Sequence, residues 1–313
     1  MLYAGIDIGG TNTLVGIVDD KGKVCAYDSF LTKDYAYSID AYLSAISTAL
    51  LEMIREHAAH EEICGIGIGA PNGNFYTGSI EHAANLPWKE DIPIVDILTR
   101  NTSLRAILTN DANAIAMGEM IYGAAKHMKN FYEITLGTGV GSGIVINGQL
   151  VYGHDGKAGE LGHVLVDLDG RKCGCGRVGC LETYCSATGL VQTAKDLLAT
   201  TDCCTKNKLQ HLTARDVYDM AEEGNPLAQQ AFYDTGFLLG RKLADFATFA
   251  SPEAIILFGG LTHAEHWLFD PMKRAFDMYM LKAISKPKLM LSALKSDSAA
   301  ILGAAALAHT LLE

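Results

Sequence analysis

No uncharged apolar run in the 313-residue chain approaches the ~20 residues needed to cross a bilayer, because even the apolar C-terminal stretch is broken by glycine and histidine. A membrane-spanning role is set aside on that ground. Basic clusters are equally scarce: no run of lysine and arginine exceeds a pair, and the formal net charge is −11. A general electrostatic grip on a nucleic-acid backbone needs the opposite balance, so no nucleic-acid partner is expected. Only six residues precede Asp7, too few for a signal peptide or a helical DNA-binding module, and a cytoplasmic protein is expected. Prolines number 7 and charged residues make up 19%, while 49% is hydrophobic, which excludes a disordered chain. Two familiar phosphate-binding signatures are also missing. Neither glycine turn described below is followed by Gly-Lys-Ser/Thr, and each leads into a strand where a dinucleotide fingerprint requires a helix.

The length suits two domains of ~100 to 200 residues each. LYAGIDIGG (Leu2 to Gly10) reads as a buried strand ending in a glycine turn, and TLVGIVDDKGKV as a second strand with a hairpin at Asp19 to Gly22. FYEITLGTGVGSGIVINGQLV (Phe131 to Val151) repeats the arrangement, with its hairpin at Asn147-Gly148, so the two units read as halves of a duplication. Between them lie a helical stretch from about Ala36 to Ala58, a strand Ile63 to Ala70, a polar loop to Trp88, and a strand ending at Asn110 with a helix beginning at Asp111. Later come mostly helices, a strand over Glu253 to Gly260 and a helical run from Asp297 to Leu312. This alternation predicts an α/β fold of two domains, 1–110 and 111–297, and leaves open whether a C-terminal helix over 298–313 packs back on the first.

Asp7 with Gly9-Gly10-Thr11 puts a carboxylate beside glycines whose backbone N–H groups can approach a phosphate. A tight hairpin with a solvated aspartate accounts for the same residues. Gly137-Thr138-Gly139 carries the same two readings, but two such turns in matching places suit a nucleotide held from both halves. Asp111 in Asn110-Asp111-Ala112-Asn113 stands where a strand gives way to a helix. It is then either an ordinary N-cap or a catalytic base projecting from a strand's carboxyl end. His163, Cys173, Cys175 and Cys180 form H-x9-C-x-C-x4-C, the ligand set of a closed tetrahedral zinc site, and glycines at 174, 176 and 179 let the chain turn around an ion. Cys25, Cys64 and Cys185 read as packing residues; Cys203 and Cys204 are adjacent and read as exposed. Glu160, His163 and Glu182 bracket the knot and suit sugar hydroxyls, though surface charge explains the two glutamates equally well.

These segments together make the chain similar to the ROK family of bacterial sugar kinases and sugar-responsive repressors. The resemblance rests on DIGGTNT at Asp7, GAPNG at Gly69, NLPW at Asn85, NDANAIAMGE at Asn110, TLGTGVGSGIV at Thr135, GELGHV at Gly159, CGCGRVGCLE at Cys173 and FGG at Phe258. It implies two ribonuclease-H-like domains of the actin and hexokinase type around a central cleft. Asp111 would be the base on a hexose 6-hydroxyl. Asp7 would help hold magnesium, with Gly9, Gly10, Thr11, Thr138 and Gly139 on the ATP phosphates and Gly259 and Gly260 under the adenosine. Asn85, Asn110, Glu160, His163 and Glu182 would bind the sugar, with His163 also on zinc. Asn72 departs from the pattern, since many relatives carry glycine there in a turn that touches the sugar; here Gly73 follows instead, which bears on sugar preference. The implied activity is Mg-ATP-dependent phosphorylation of glucose first, then N-acetylglucosamine, N-acetylmannosamine or allose, by a homo-oligomer, dimer or tetramer. A sugar-sensing repressor and a sugar-binding module without catalysis are the rival readings.

Overall fold

The structure is a computed structural model and describes residues 1–57, 63–82, 85–199 and 210–312; the adjacent pair Cys203 and Cys204 lies outside them. The chain divides into two compact units. One comprises Met1–Lys129, Gly143–Gly159 and Ser292–Glu313, the other Asn130–Ser142 and Glu160–Leu291. This departs from the boundary expected near residue 110. The helix that begins at Asp111 packs on strands of the first unit and on the C-terminal helix, so the chain leaves that unit only after Lys129, returns for Gly143–Gly159, and returns again at Ser292. Buried packing decides the grouping, and it leaves no mark in local composition.

The first unit is built on a five-stranded sheet. Its strands are β1 (Leu2–Ile8), β2 (Asn12–Asp19), β3 (Val24–Leu31), β4 (Ile63–Ala70) and, after the short ribbon β5 (Gly73–Asn74) and β6 (Ser79–Ile80), β7 (Ala106–Asn110). The order is β3-β2-β1-β4-β7, antiparallel from β3 to β1 and parallel from β1 to β7. Helices α1 (Ile39–His57), α2 (Ile94–Thr102) and α3 (Asp111–Ile121) complete this part. Buried apolar side chains such as Ile6, Ile17, Ile46, Leu50 and Ile68 form one core, each worth ~1.5–3 kcal/mol of transfer free energy.

The second sheet has the order β10-β9-β8-β11-β12, from β8 (Phe131–Leu136), β9 (Val140–Ile146), β10 (Gln149–Leu150), β11 (Ala254–Phe258) and β12 (Lys288–Leu291). β9 and β10 are antiparallel, while β8, β11 and β12 run parallel. In each sheet the hairpin strands come first and a later strand adds beside the opening one in parallel, the repeat expected from the duplicated strand–turn–strand units. The turn at Asn147-Gly148 has φ of 54° and 78°, the left-handed pair a two-residue hairpin needs. Helices α4 (Glu182–Cys185), α5 (Ala187–Leu198), α6 (Ala214–Glu222), α7 (Pro226–Ala250) and α8 (His266–Tyr279) belong to the second unit.

The last helix, α9 (Ala299–Ala308), packs back against β1, β4 and α3 of the first unit. Its sequence AAILGAAALA is almost wholly buried, and small residues on both sides let backbones meet. A Cβ on Gly67 would collide with the Ala304 carbonyl oxygen, and one on Gly303 would lie 2.6 Å from the Ala114 carbonyl oxygen. No described helix is long and apolar enough to cross a membrane.

Candidate active site

In the first unit the parallel register aligns the residues singled out by sequence. Asp7 on β1 pairs across with Gly69 on β4, and Ala70 on β4 pairs with Asn110 on β7, so Asp7 and Asp111 emerge at the carboxyl ends of the two strands that flank β4. A Cβ on Gly69 would stand 3.5 Å from Asp7 Oδ1 and 3.8 Å from the Asp111 Cα. Asp7 is held well above the ordinary carboxylate range, at about 7, first by burial and then by the Asp111 charge. Burial also raises the Asp111 carboxyl, partly offset by the backbone N–H groups of Ala112 and of Asp111 itself. The Asp111 side chain nonetheless reaches solvent. Asp111 does not cap α3: Asn110 does, its Oδ1 accepting from Ala112 N at 2.8 Å and Asn113 N at 3.4 Å.

The glycine turn after β1 is closed by Gly9 N donating to Asn12 O at 2.9 Å, and Thr11 is exposed at its tip. Asn85 lies against this turn, since a Cβ on Gly10 would come within 2.5 Å of the Asn85 carbonyl oxygen. Asn72 takes left-handed backbone angles, φ 53°, and its Nδ2 donates to the His82 carbonyl at 3.3 Å. An asparagine therefore serves in this turn where many relatives carry glycine, with Gly73 next to it packed on the Thr109 carbonyl oxygen.

In the second unit the matching turn is closed by Gly137 N donating to Gly139 O at 3.1 Å, and the Thr138 carbonyl accepts from Thr188 Oγ1. A Cβ on Gly139 would meet Glu182 Oε2 at 2.7 Å, so the turn and Glu182 are neighbours. Gly259, φ 105°, closes on the backbone of Leu136 just ahead of the same turn, where only glycine fits. Beside it opens a cavity of about 280 Å³ lined by Gly137, Tyr218, Phe232, Gly260, Leu261 and His263, among others. Arg215 also borders it and lies 5.1 Å from the centroid of the Tyr218 ring. Sequence reading found only the glycines of this cavity. The aromatic and basic walls come from helices far along the chain and carry no local signature.

The cysteine knot brings its four ligands together. The ligand atoms of His163, Cys173, Cys175 and Cys180 all lie within 4.8 Å of one another. Cys175 Sγ and Cys180 Sγ are 3.7 Å apart, and Cys173 Sγ is 3.6 Å from His163 Nδ1. Two sulfurs each ~2.3 Å from a tetrahedral zinc stand roughly 3.8 Å apart, so the donor set fits that ion. Glu182 Oε1 lies 3.0 Å from Cys173 Sγ and 3.6 Å from His163 Nδ1, whereas His163 Nε2 is turned toward Glu160 Oε2 at 3.9 Å. The two ring nitrogens therefore face different neighbours, Nδ1 the knot and Nε2 Glu160. Arg171, missed by sequence reading, braces the knot: its Nη1 donates to the Thr183 and Gly189 carbonyls, and its guanidinium lies 4.6 Å from the centroid of the Tyr184 ring.

A model of the ROK family matches residues 3–311. The chain belongs to the ROK family. It is 35% identical to a glucokinase of Halalkalibacterium halodurans over 96% of this chain and 93% of that one. It is 31% identical to an N-acetylmannosamine kinase of Escherichia coli O9:H4 over 99% of both. Among solved structures, a ROK family glucokinase from Streptomyces griseus in complex with glucose and AMPPNP superposes with a TM-score of 0.77 at 29% identity, covering 99% of this chain and 100% of that one. The ROK fold, two α/β units of the actin and hexokinase type, is the one described above.

Proposed function

We propose that this ROK protein is an ATP-dependent hexose kinase that transfers the γ-phosphoryl group of ATP to the 6-hydroxyl of a free hexose, glucose first among candidates. The observation that carries the proposal is the Asp7–Asp111 arrangement. Asn110 takes over the capping of α3, which leaves an Asp111 carboxylate that reaches solvent at a strand end next to a second carboxylate. In the reaction the Asp111 carboxylate accepts the 6-hydroxyl proton as the sugar oxygen bonds to phosphorus and the bond to the β–γ bridging oxygen breaks, releasing ADP. Asp7 would help hold magnesium, which neutralises charge on the phosphates. Gly9, Gly10, Thr11, Thr138 and Gly139 line the phosphates, and the cavity beside Gly259 and Gly260 takes the adenine.

Asn72, Gly73, Asn85, Asn110, Glu160, His163 and Glu182 supply hydrogen bonds to the sugar. His163 would use Nε2 for this while Nδ1 faces the cysteine cluster, and His163, Cys173, Cys175 and Cys180 would hold a zinc ion that would stiffen the loop leading to Glu182. The protein is read as cytoplasmic and as a homo-oligomer, dimer or tetramer. N-acetylmannosamine is the second substrate reading, supported by the relative of that name. N-acetylglucosamine and allose stand behind it, and a sugar-responsive regulator last.

A coupled ADP-release assay over a panel of hexoses and N-acetylhexosamines with Mg-ATP tests this reading. Turnover greatest with glucose is expected. Greatest turnover with N-acetylmannosamine would move the substrate but keep the kinase, and none with any sugar would contradict the proposal.

A further inference from the structure

Residues 151–159 run from β10 to Glu160, and three of their polar contacts are made with residues in or beside the β5–β6 ribbon. Asn74 is almost fully buried, 4% exposed, and its Nδ2 donates both to the Asp155 carbonyl at 2.9 Å and to Glu81 Oε1 at 3.0 Å. Its Oδ1 accepts from Tyr76 N at 2.9 Å, so both ends of the amide are engaged. Lys157 Nζ pairs with Glu81 Oε2 at 2.8 Å, and Tyr76 donates its hydroxyl to the Gly153 carbonyl at 2.9 Å. The Phe75 and Tyr152 rings stack with centroids 4.1 Å apart. Gly156, φ 83°, leaves room for the Asn74 side chain, which a Cβ there would strike. Glu81 also donates its backbone N–H to the Asn72 carbonyl at 3.1 Å. One residue therefore binds the turn at Asn72-Gly73 through its backbone and the loop that ends at Gly159 through its carboxylate.

We infer that Glu81, Asn74 and Lys157 form a clamp that positions the sugar-binding residues. It holds the loop delivering Glu160 in register with the turn at Asn72-Gly73. None of the three need touch substrate, and the inference rests on the hexose kinase reading of the site. The clamp is built like a fixed support. A buried amide with both ends satisfied and a charge-assisted pair restrict the loop to one path, and a glycine with left-handed angles is required where it passes closest. The carboxylate of Glu81 is held below the ordinary glutamate range, by the Lys157 bond first and by Asn74 and Thr77 as well, so the pair stays ionised at neutral pH. The physical consequence is preorganisation. Loosening the loop charges the cost of ordering it to sugar binding and leaves phosphoryl transfer from a bound sugar unaltered.

Lys157 is the suitable probe because its side chain is 55% exposed. Steady-state kinetics of Lys157→Met are expected to show KM for the hexose raised by roughly threefold to tenfold, with kcat and KM for ATP at wild-type values. Lys157→Arg, which keeps the charge, is expected to restore a KM close to wild type. Hydrogen exchange in Lys157→Met should quicken at amides 152–159 and not in β1 or β4. An unchanged hexose KM with quickened exchange would show a clamp with no bearing on sugar and overturn the inference. Equal changes in hexose KM, ATP KM and kcat would overturn it as well. Absence of hexose turnover in the wild-type protein is a different result, which removes the kinase reading and the clamp's role together.

Discussion

Asp7 and Asp111 stand at the carboxyl ends of strands β1 and β7, on either side of Gly69, and the charge of Asp111 is one of the two causes that raise the Asp7 carboxyl to about 7. The larger cause is burial. A folded-state value above the ordinary carboxylate value of ~4 means that the folded protein holds this proton more tightly than the unfolded chain does. In the absence of magnesium and nucleotide, the contribution of Asp7 to stability is intact below about pH 4 and is lost as pH rises through about 7. Asp7→Asn is expected to stabilise the ligand-free protein at pH 8 by on the order of 2 kcal/mol and to have little effect at pH 4. Urea unfolding at both pH values measures this, and an equal effect at both would contradict it.

The cysteine knot makes a separate prediction. Purified protein should contain about one zinc per chain, and Cys180→Ser, at a fully buried ligand, should lose it. Because Glu182 and His163 share the knot, kcat/KM for the hexose should fall by about tenfold or more in the same variant. Elemental analysis that finds no zinc in the wild-type protein would refute the site.

Helix α9 depends on close backbone approach to the first sheet. Gly67→Val is expected to cost about 3 kcal/mol or more, since its side chain would occupy the place of the Ala304 carbonyl. An unchanged denaturation midpoint would show that α9 packs elsewhere.

Asn72 bears on sugar choice. Asn72→Gly preserves the left-handed backbone, φ 53°, and removes the bond to the His82 carbonyl. The ratio of kcat/KM for glucose to that for N-acetylmannosamine is expected to change by a factor of about three or more. Identical ratios in the two proteins would free Asn72 from any part in specificity.

Much of this fold was legible because its signals are local. Apolar runs gave β1, β4 and β8, the first and last of them closed by glycine turns, and Asn147-Gly148 gave a hairpin. The knot was legible from ligand spacing alone. Asp111 was placed correctly at a strand-to-helix junction, but only coordinates distinguish its role from that of Asn110, since either residue is a suitable cap by type. The division into units was hidden because it depends on which core a segment packs against. Asn74 and Asp155 are 81 positions apart, and nothing near either one announces the other. The cavity beside Gly260 was likewise half-read, its glycines visible in a motif and Tyr218 and His263 in none.

The base assigned to Asp111 is tested most directly by Asp111→Asn, followed by hexose binding and by turnover with Mg-ATP. The substituted amide keeps the size of the side chain and cannot accept the proton. Hexose affinity is expected to stay within about threefold of wild type while kcat falls by roughly two to four powers of ten. A variant that turns over at a rate near wild type would contradict the assignment and require a different base.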